Sequence, residues 1–117
     1  MTILFSSTAS YSLAAYNNYS AYRLKRLKGN NYTSIKNKKT ANGYIKNEVT
    51  KITNANFANF WAINSSKKRI SHKYKQGPGT GVSELIFTKK GYNVKNKQVG
   101  MGMENYNNKL HVAFVSG

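Results

Sequence analysis

The chain has 117 residues, of which 19 are Lys or Arg and 3 are Asp or Glu, so its formal net charge at neutral pH is +16. It contains no Cys, which excludes disulfide bonds, zinc fingers, iron–sulfur clusters and thiol catalysis. It also contains no Asp, which excludes EF-hand loops and Asp-based two-metal phosphoryl transfer, and three scattered Glu residues disfavour a glycosidase with paired carboxylates.

The length predicts one domain. We expect a single β domain over residues 21–117, preceded at residues 1–20 by a segment that is either disordered or an edge strand. The longest apolar runs are only a few residues, so no transmembrane segment is predicted. The first residues lack the basic and long apolar regions of a signal peptide. A cytosolic protein, an exported chain whose signal is replaced by Met1, and a transit peptide over residues 2–27 all stay open.

Short extended runs separated by Asn and Gly predict β-strands along most of the chain. The run at 68–75 is basic and edge-like, and the run at 110–115 is apolar on both alternating faces, as in a central strand. Such a series indicates an all-β fold, a small antiparallel sandwich or barrel. In chain order the predicted strands cover residues 10–16, 31–38, 44–52, 56–64, 68–75, 84–89, 92–99 and 110–115.

Two dipeptides predict hairpin turns. Asn42-Gly43 supplies the positive φ angles that a two-residue type I′ turn requires, and Lys90-Gly91 is a second candidate between two predicted strands. The tract 99–103 alternates Gly and Met, which we interpret as a bent strand whose Met side chains fill the core.

Residues 20–28 are the one candidate for a short helix. Ser20 suits the N-cap, Leu24 and Leu27 are three apart, and Gly29 suits the position after the last turn. A helix of about two turns is marginal without tertiary support, so helix and strand both stay open there.

A small, two-layer core is expected, because the apolar residues are few and mostly aromatic or branched. Its predicted members are Phe57, Phe60, Trp61, Leu85, Ile86, Phe87, Leu110, Val112 and Phe114.

The basic residues occur in clusters, and their summed field would concentrate a polyanion and speed its association. If the lysines only solvated a polar surface, acidic residues would be expected among them. Here the charged residues are almost all positive. Teichoic acid, an anionic membrane surface, RNA and DNA are all compatible partners. The predicted polyanion-binding residues are Arg23, Lys25, Arg26, Lys28, Lys36, Lys38, Lys39, Lys67, Lys68, Arg69, Lys73 and Lys75.

Aromatic residues lie among these clusters. Tyr22, Tyr32, Trp61 and Tyr74 are candidates for contact with a partner, since aromatic rings beside basic residues can stack on unpaired bases. The alternative, which we prefer, is that Tyr fills half-buried positions of a sheet.

The loop at 76–81 is rich in glycine, and Gly77, Gly79 and Gly81 could expose N–H groups to a phosphate. A plain connection between strands is the preferred interpretation. The two histidines, His72 and His111, could serve a metal-free RNase as base and acid, but we prefer the interpretation that one is a surface histidine and the other a sheet histidine. No cofactor or metal is predicted.

The chain resembles small exported proteins of Gram-positive bacteria that are rich in Lys, Asn and Tyr, form β-sandwiches and include bacteriocin-like members. The resemblance covers residues 22–116, and it is carried by the basic run 23–28 with the following Asn31-Tyr32-Thr33-Ser34, and by the tract 104–108 before the final strand. It implies an extracellular or cell-surface protein without catalytic residues.

Three functions follow as expectations. The first is an exported cationic protein that binds an anionic cell-envelope polymer or a target-cell surface, with an antimicrobial role. The second is a nucleic-acid-binding protein, such as a ribosomal component of an AT-rich organelle or cell. The third is a small RNase toxin that depends on its histidines.

Overall fold

The computed structural model describes residues 19–20, 22–25, 29–106 and 113–116. Every regular element in these ranges is a β-strand, and all pairings are antiparallel, which confirms the all-β prediction. The arrangement is consistent with a small sandwich or barrel. The strands are β1 (Tyr22–Leu24), β2 (Asn31–Tyr32), β3 (Lys36–Asn37), β4 (Tyr44–Glu48), β5 (Lys51–Thr53), β6 (Ala58–Asn64), β7 (Tyr74–Gln76), β8 (Val82–Ile86), β9 (Gln98–Asn105) and β10 (Ala113–Ser116).

The strands form three sheets. One has the order β1-β10-β5, a second has the order β2-β9-β6-β7 with β3 also paired to β9, and a third contains β4 and β8. β10 is therefore a central strand, as predicted for 110–115. β7 is an edge strand, but it contains only the last two residues of the predicted strand 68–75, the rest of which forms isolated bridges at Arg69 and Ser71. The predicted strand at 92–99 is wrong except at 98–99, because 92–97 form a loop before β9. β1 shows that the described part of 20–28 is strand rather than helix. The predicted strand at 10–16 lies outside the described residues.

The long pair β6–β9 separates two environments. In an antiparallel pair, residues opposite each other point to the same face of the sheet. Phe60 lies opposite Met103 on the side of the main core, whereas Trp61 lies opposite Gly102 on the other side. Both Met101 and Met103 are buried, so the Gly-Met tract is a strand with Met in the core, as predicted.

The predicted core is correct in part. Phe60, Trp61 and Leu85 are buried, but Phe57 is 39% exposed and Ile86 is 52% exposed. Ile86 is exposed because it follows buried Leu85 in β8, and successive side chains alternate between faces. Leu110 and Val112 lie outside the described residues, and Phe114 is described only through its backbone pairing in β10. The buried cluster is Leu24, Val49, Ala58, Phe60, Ala62, Ile70, Leu85, Val99, Met101 and Met103, with Phe87 packed against it.

Neither predicted hairpin forms. The strand before Asn42-Gly43 pairs with β9 and the strand after it pairs with β8, so the two are not partners. Lys90-Gly91 does form a turn, with φ 94° at Gly91, but it leads into a loop and β9 begins only at Gln98. In both places burial against a distant strand decides the pairing, and the local turn residues do not.

Candidate polyanion-binding site

A cleft with a volume of about 410 Å³ lies where the three sheets meet. Its lining residues come from β3 and the turn at 38–42, from β4, and from Val99 and Met101 of β9. Tyr19 and Tyr22 also line it. We call this cavity the lysine–tyrosine cleft; it is lined by Tyr19, Tyr22, Thr33, Ser34, Lys36, Asn37, Lys38, Lys39, Thr40, Asn42, Tyr44, Ile45, Lys46, Asn47, Val99 and Met101.

The charge of the cleft is entirely positive. Four of its lining residues are lysines, and none is a Glu. Lys36, Lys39 and Lys46 are exposed residues, and the ammonium of Lys46 lies 5.9 Å from the ring centroid of Tyr44, which also lines the cleft. Such clefts concentrate field lines and raise the local concentration of anions.

Lys38 has a different role from its neighbours. Only 6% of it is exposed, and its ammonium donates hydrogen bonds to the carbonyl oxygens of Thr40, at 3.0 Å, and of Asn42. Burial lowers the pKa of Lys38 below its usual value. Its side chain therefore closes the 38–42 turn and shapes the wall, instead of reaching into solvent.

Tyr19 is fixed at the end of the cleft by a relay of hydrogen bonds. Its hydroxyl donates to Oδ1 of Asn47 at 2.9 Å, and Nδ2 of Asn47 donates to Oε1 of Gln76 at 2.8 Å. Nε2 of Gln76 in turn donates to the carbonyl of Asn47 at 2.9 Å. Burial raises the pKa of Tyr19 to about 12, although the bond to Asn47 offsets part of the rise, so the phenol is neutral at physiological pH.

The second basic surface is the side of the β6–β9 sheet that faces away from the main core. Lys73 lies 4.8 Å from the ring centroid of Trp61, and Lys67 lies 5.3 Å from that of Tyr32. Lys75 lies between two rings, 4.3 Å from Phe57 and 4.4 Å from Tyr106. We call this surface the outer aromatic face and define it by Tyr32, Phe57, Trp61, Lys67, Lys73, Lys75 and Tyr106.

The outer aromatic face also holds a buried carboxylate. Oε1 of Glu104 lies 3.1 Å from Nζ of Lys73, and Nδ2 of Asn59 donates to Oε2 of Glu104 at 2.8 Å. Lys73–Glu104 is the one ion pair within the described ranges. The positive charge of Lys73 is thus already neutralised, which makes this face less suited to an anion than the cleft is.

Aromatic rings across the described surface are covered by lysines of the same chain. Seven rings have a Lys ammonium within 6 Å of the centroid, an arrangement in which the positive charge meets the negative face of the ring. Trp61 is only 3% exposed. These rings are poorly placed to stack on nucleic-acid bases unless the lysines move away.

The structure divides the predicted basic residues among several places. Lys36, Lys38 and Lys39 line the cleft, and Lys67, Lys73 and Lys75 lie on the outer aromatic face. Four more are exposed and line neither surface: Arg23, Lys25, Lys68 and Arg69. Arg26 and Lys28 lie outside the described residues.

The predicted aromatic contacts also divide. Tyr22 lines the cleft, and Tyr32 and Trp61 belong to the outer aromatic face. Tyr74 packs against the main core, where its hydroxyl accepts a hydrogen bond from the backbone N–H of Ile86 at 3.3 Å. The sequence analysis missed Tyr19, Tyr44 and Lys46 as cleft residues. Alternation in β4 places Tyr44 and Lys46 on one face, but no local pattern indicates Tyr19.

The glycine-rich loop forms a turn that uses its own polar groups. The N–H of Gly77 donates to the hydroxyl of Thr80 at 2.8 Å, and the N–H of Thr80 donates to the carbonyl of Gly77 at 3.0 Å. Pro78 has no N–H. This geometry favours the connecting role over the phosphate role for Gly77, while Gly79 and Gly81 are left as candidates.

The histidines are the remaining catalytic candidates of the sequence. His72 is exposed, and His111 lies outside the described residues, so the RNase hypothesis stays a prediction. No cluster of three or more potential metal ligands occurs within the ranges described, and none of their elements is a helix of the length and apolarity needed to cross a membrane. Comparison with protein-family models, curated proteins and solved structures finds no match to the chain.

Proposed function

We propose that the protein is an exported, non-enzymatic cationic protein that binds an anionic polymer of the cell envelope, such as a teichoic acid, with an antimicrobial role on target cells. The observation that carries the proposal is the lysine–tyrosine cleft, which is lined by three exposed lysines, by the buried Lys38 and by no carboxylate. A surface that serves only solubility has no need to gather like charges around a concave site, where their repulsion is greatest.

Two features favour teichoic acid, a phosphate polymer without bases, over nucleic acid. The cations of the cleft are all lysines, whose ammonium groups contact phosphate as point charges and do not form the planar fork by which Arg recognises guanine. The aromatic rings are already in contact with lysines of the chain, which limits the stacking that strengthens binding to single strands.

The test is a salt titration of binding, run in parallel with purified teichoic acid, with vesicles that contain anionic lipid and with single-stranded RNA. We expect the teichoic acid complex to persist at about 0.15 M salt, where non-specific attraction between exposed charges is strongly screened. A growth-inhibition assay on Gram-positive cells, with and without added teichoic acid as competitor, tests the antimicrobial role.

Two results would overturn the proposal. A complex with RNA that survives at that salt concentration, while teichoic acid dissociates, would establish the nucleic-acid function instead. Equal binding to all three probes, lost on addition of salt, would mean that the positive charge attracts polyanions without selecting among them.

A further inference from the structure

We infer that the lysine–tyrosine cleft is a discrete site for one phosphate-bearing polyol unit, and that the cleft, instead of the general positive surface, gives the protein its selectivity. The inference deepens the proposed function and rests on it for the identity of the polymer. Lys36, Lys39 and Lys46 would hold the phosphate, and the uncharged groups of the cleft would meet the polyol.

The size of the cleft fits a single unit. Pockets for small molecules have volumes of roughly 300–1,000 Å³, and a volume of about 410 Å³ places this cleft near the lower end of that range. A polymer bound only by surface charge would need no cavity, because screened attraction acts on any exposed phosphate.

The lysines of the cleft come from two different sheets. Lys36 and Lys39 come from β3 and the turn after it, which pairs with β9, whereas Lys46 comes from β4, which pairs with β8. An anion bound among these lysines would relieve the repulsion between their charges. No lining carboxylate competes for these lysines.

The remaining lining groups are suited to hydroxyl-bearing carbon chains. Tyr22 and Tyr44 present rings with a polar end, and Asn37 carries an amide that both donates and accepts hydrogen bonds. The cleft thus combines cationic residues with neutral amphipathic ones. A phosphate ester of a polyol can contact both kinds of residue, whereas inorganic phosphate uses only the cationic ones.

The walls are held in place before a ligand arrives. Lys38 closes the turn through its bonds to two carbonyl oxygens, and the backbone of Lys38 is bonded to Lys97 at 2.8 Å and Asn96 at 2.9 Å. At the other end Asn47 holds Tyr19. Preorganisation of this kind reduces the entropy lost on binding and separates a site from a patch of mobile side chains.

The experiment is isothermal titration calorimetry of the full chain at about 0.15 M salt with glycerol phosphate, inorganic phosphate and glycerol, followed by competition of glycerol phosphate against teichoic acid. The test variant is the double substitution Lys36→Gln/Lys39→Gln. The matched control is Lys89→Gln/Lys90→Gln, which has the same net charge and alters two exposed residues that do not line the cleft.

We expect glycerol phosphate to bind with one-to-one stoichiometry, more tightly than inorganic phosphate, and to compete with teichoic acid. The cleft variant should lose about tenfold or more in affinity, since each charge-assisted bond to phosphate contributes on this scale, while the control changes by less than about twofold. Equal melting temperatures of the two variants establish that folding is not the cause.

Failure of the inference is separable from failure of the proposed function. If teichoic acid binds, but both double variants weaken it equally and glycerol phosphate does not compete, the cleft is not the site and the general function stands. If inorganic phosphate binds as tightly as glycerol phosphate, the inferred contact between the cleft and the polyol is wrong. If glycerol phosphate binds in the cleft and teichoic acid does not bind at all, the site is established and the envelope function is overturned.

Discussion

The indole ring of Trp61 lies against the backbone of Gly102, its partner on the neighbouring strand. A Cβ atom built on Gly102 would lie 2.3 Å from Nε1 of Trp61 and 2.4 Å from Cε2, closer than any real side chain allows. Gly102 is therefore required by the close approach of the ring, and the pair fixes the packing of the outer aromatic face.

The substitution Gly102→Ala should lower the free energy of unfolding by about 1–3 kcal/mol, because the indole must move out of its contact with β9. Denaturant unfolding measures the change, and the tryptophan emission spectrum should shift as Trp61 becomes more exposed. Gly79→Ala is the matched control, since a Cβ there meets nothing within 4 Å. Equal stability of the two variants would contradict this account of the contact.

The buried amide pair Asn47–Gln76 joins β4 to β7, and it should stabilise the fold as a unit. Replacing either residue by Ala leaves the other with an unsatisfied polar group, at a cost of about 1–3 kcal/mol. The double variant should cost less than the sum of the two single variants, by about 0.5–3 kcal/mol. A double-mutant cycle in denaturant measures this coupling; Gln98→Ala, at an exposed position in β9, serves as the control. Strict additivity would show that the two amides act independently.

The elevated pKa of Tyr19 predicts a loss of stability in alkali. The phenol keeps its proton up to about pH 12 in the folded protein, compared with about 10 in the unfolded chain. The folded state therefore binds the proton more tightly, and its stability should fall as the pH rises from 10 towards 12. Tyr19→Phe should lack this contribution, so the difference in unfolding free energy between the wild type and the variant should shrink over that interval.

Phenolate absorbance gives an independent check on Tyr19. In a pH titration followed by phenolate absorbance, the wild type should show a step near pH 12 that Tyr19→Phe lacks. Circular dichroism establishes that the protein is still folded at that pH. A missing component near pH 10 would refute the burial of this hydroxyl. Tyr106→Phe, which removes an exposed phenol, controls for the loss of one tyrosine from the spectrum.

Replacement of Lys38 should affect stability more than replacement of its neighbour. Lys38→Met leaves the carbonyl groups of Thr40 and Asn42 without the ammonium that joins them, and we expect a loss of about 1–3 kcal/mol. Lys39→Met, at an exposed position, should stay within about 0.5 kcal/mol of the wild type. Thermal unfolding of both variants distinguishes them, and similar melting temperatures would contradict a structural role for Lys38.

Local pattern predicted part of the strand structure. Extended runs separated by Asn and Gly predicted strands across 44–52 and 56–64, where β4, β5 and β6 are found, although β4 and β5 belong to different sheets. The predicted strand at 92–99 is wrong except at its last two residues, because pairing with β6 begins only at Val99. The Gly-Met tract was interpreted correctly. At 20–28 the sequence left helix and strand both open, because capping residues for a short helix were present. Pairing with β10 favours the strand for Tyr22–Leu24.

The positive charge, the absence of Cys and Asp and the all-β fold class were thus determined by the sequence alone, since they depend on composition and on short-range periodicity. Tertiary structure decided which strands pair, which of three neighbouring lysines is buried, and that Lys36, Lys39 and Lys46 share one cleft. The reason is physical. The ammonium of Lys38 bonds carbonyl groups of its own turn, but that turn is held by backbone bonds to Asn96 and Lys97 and lies beside the ring of Phe87. The cleft likewise exists only where three sheets meet, so both depend on contacts between residues far apart in the chain.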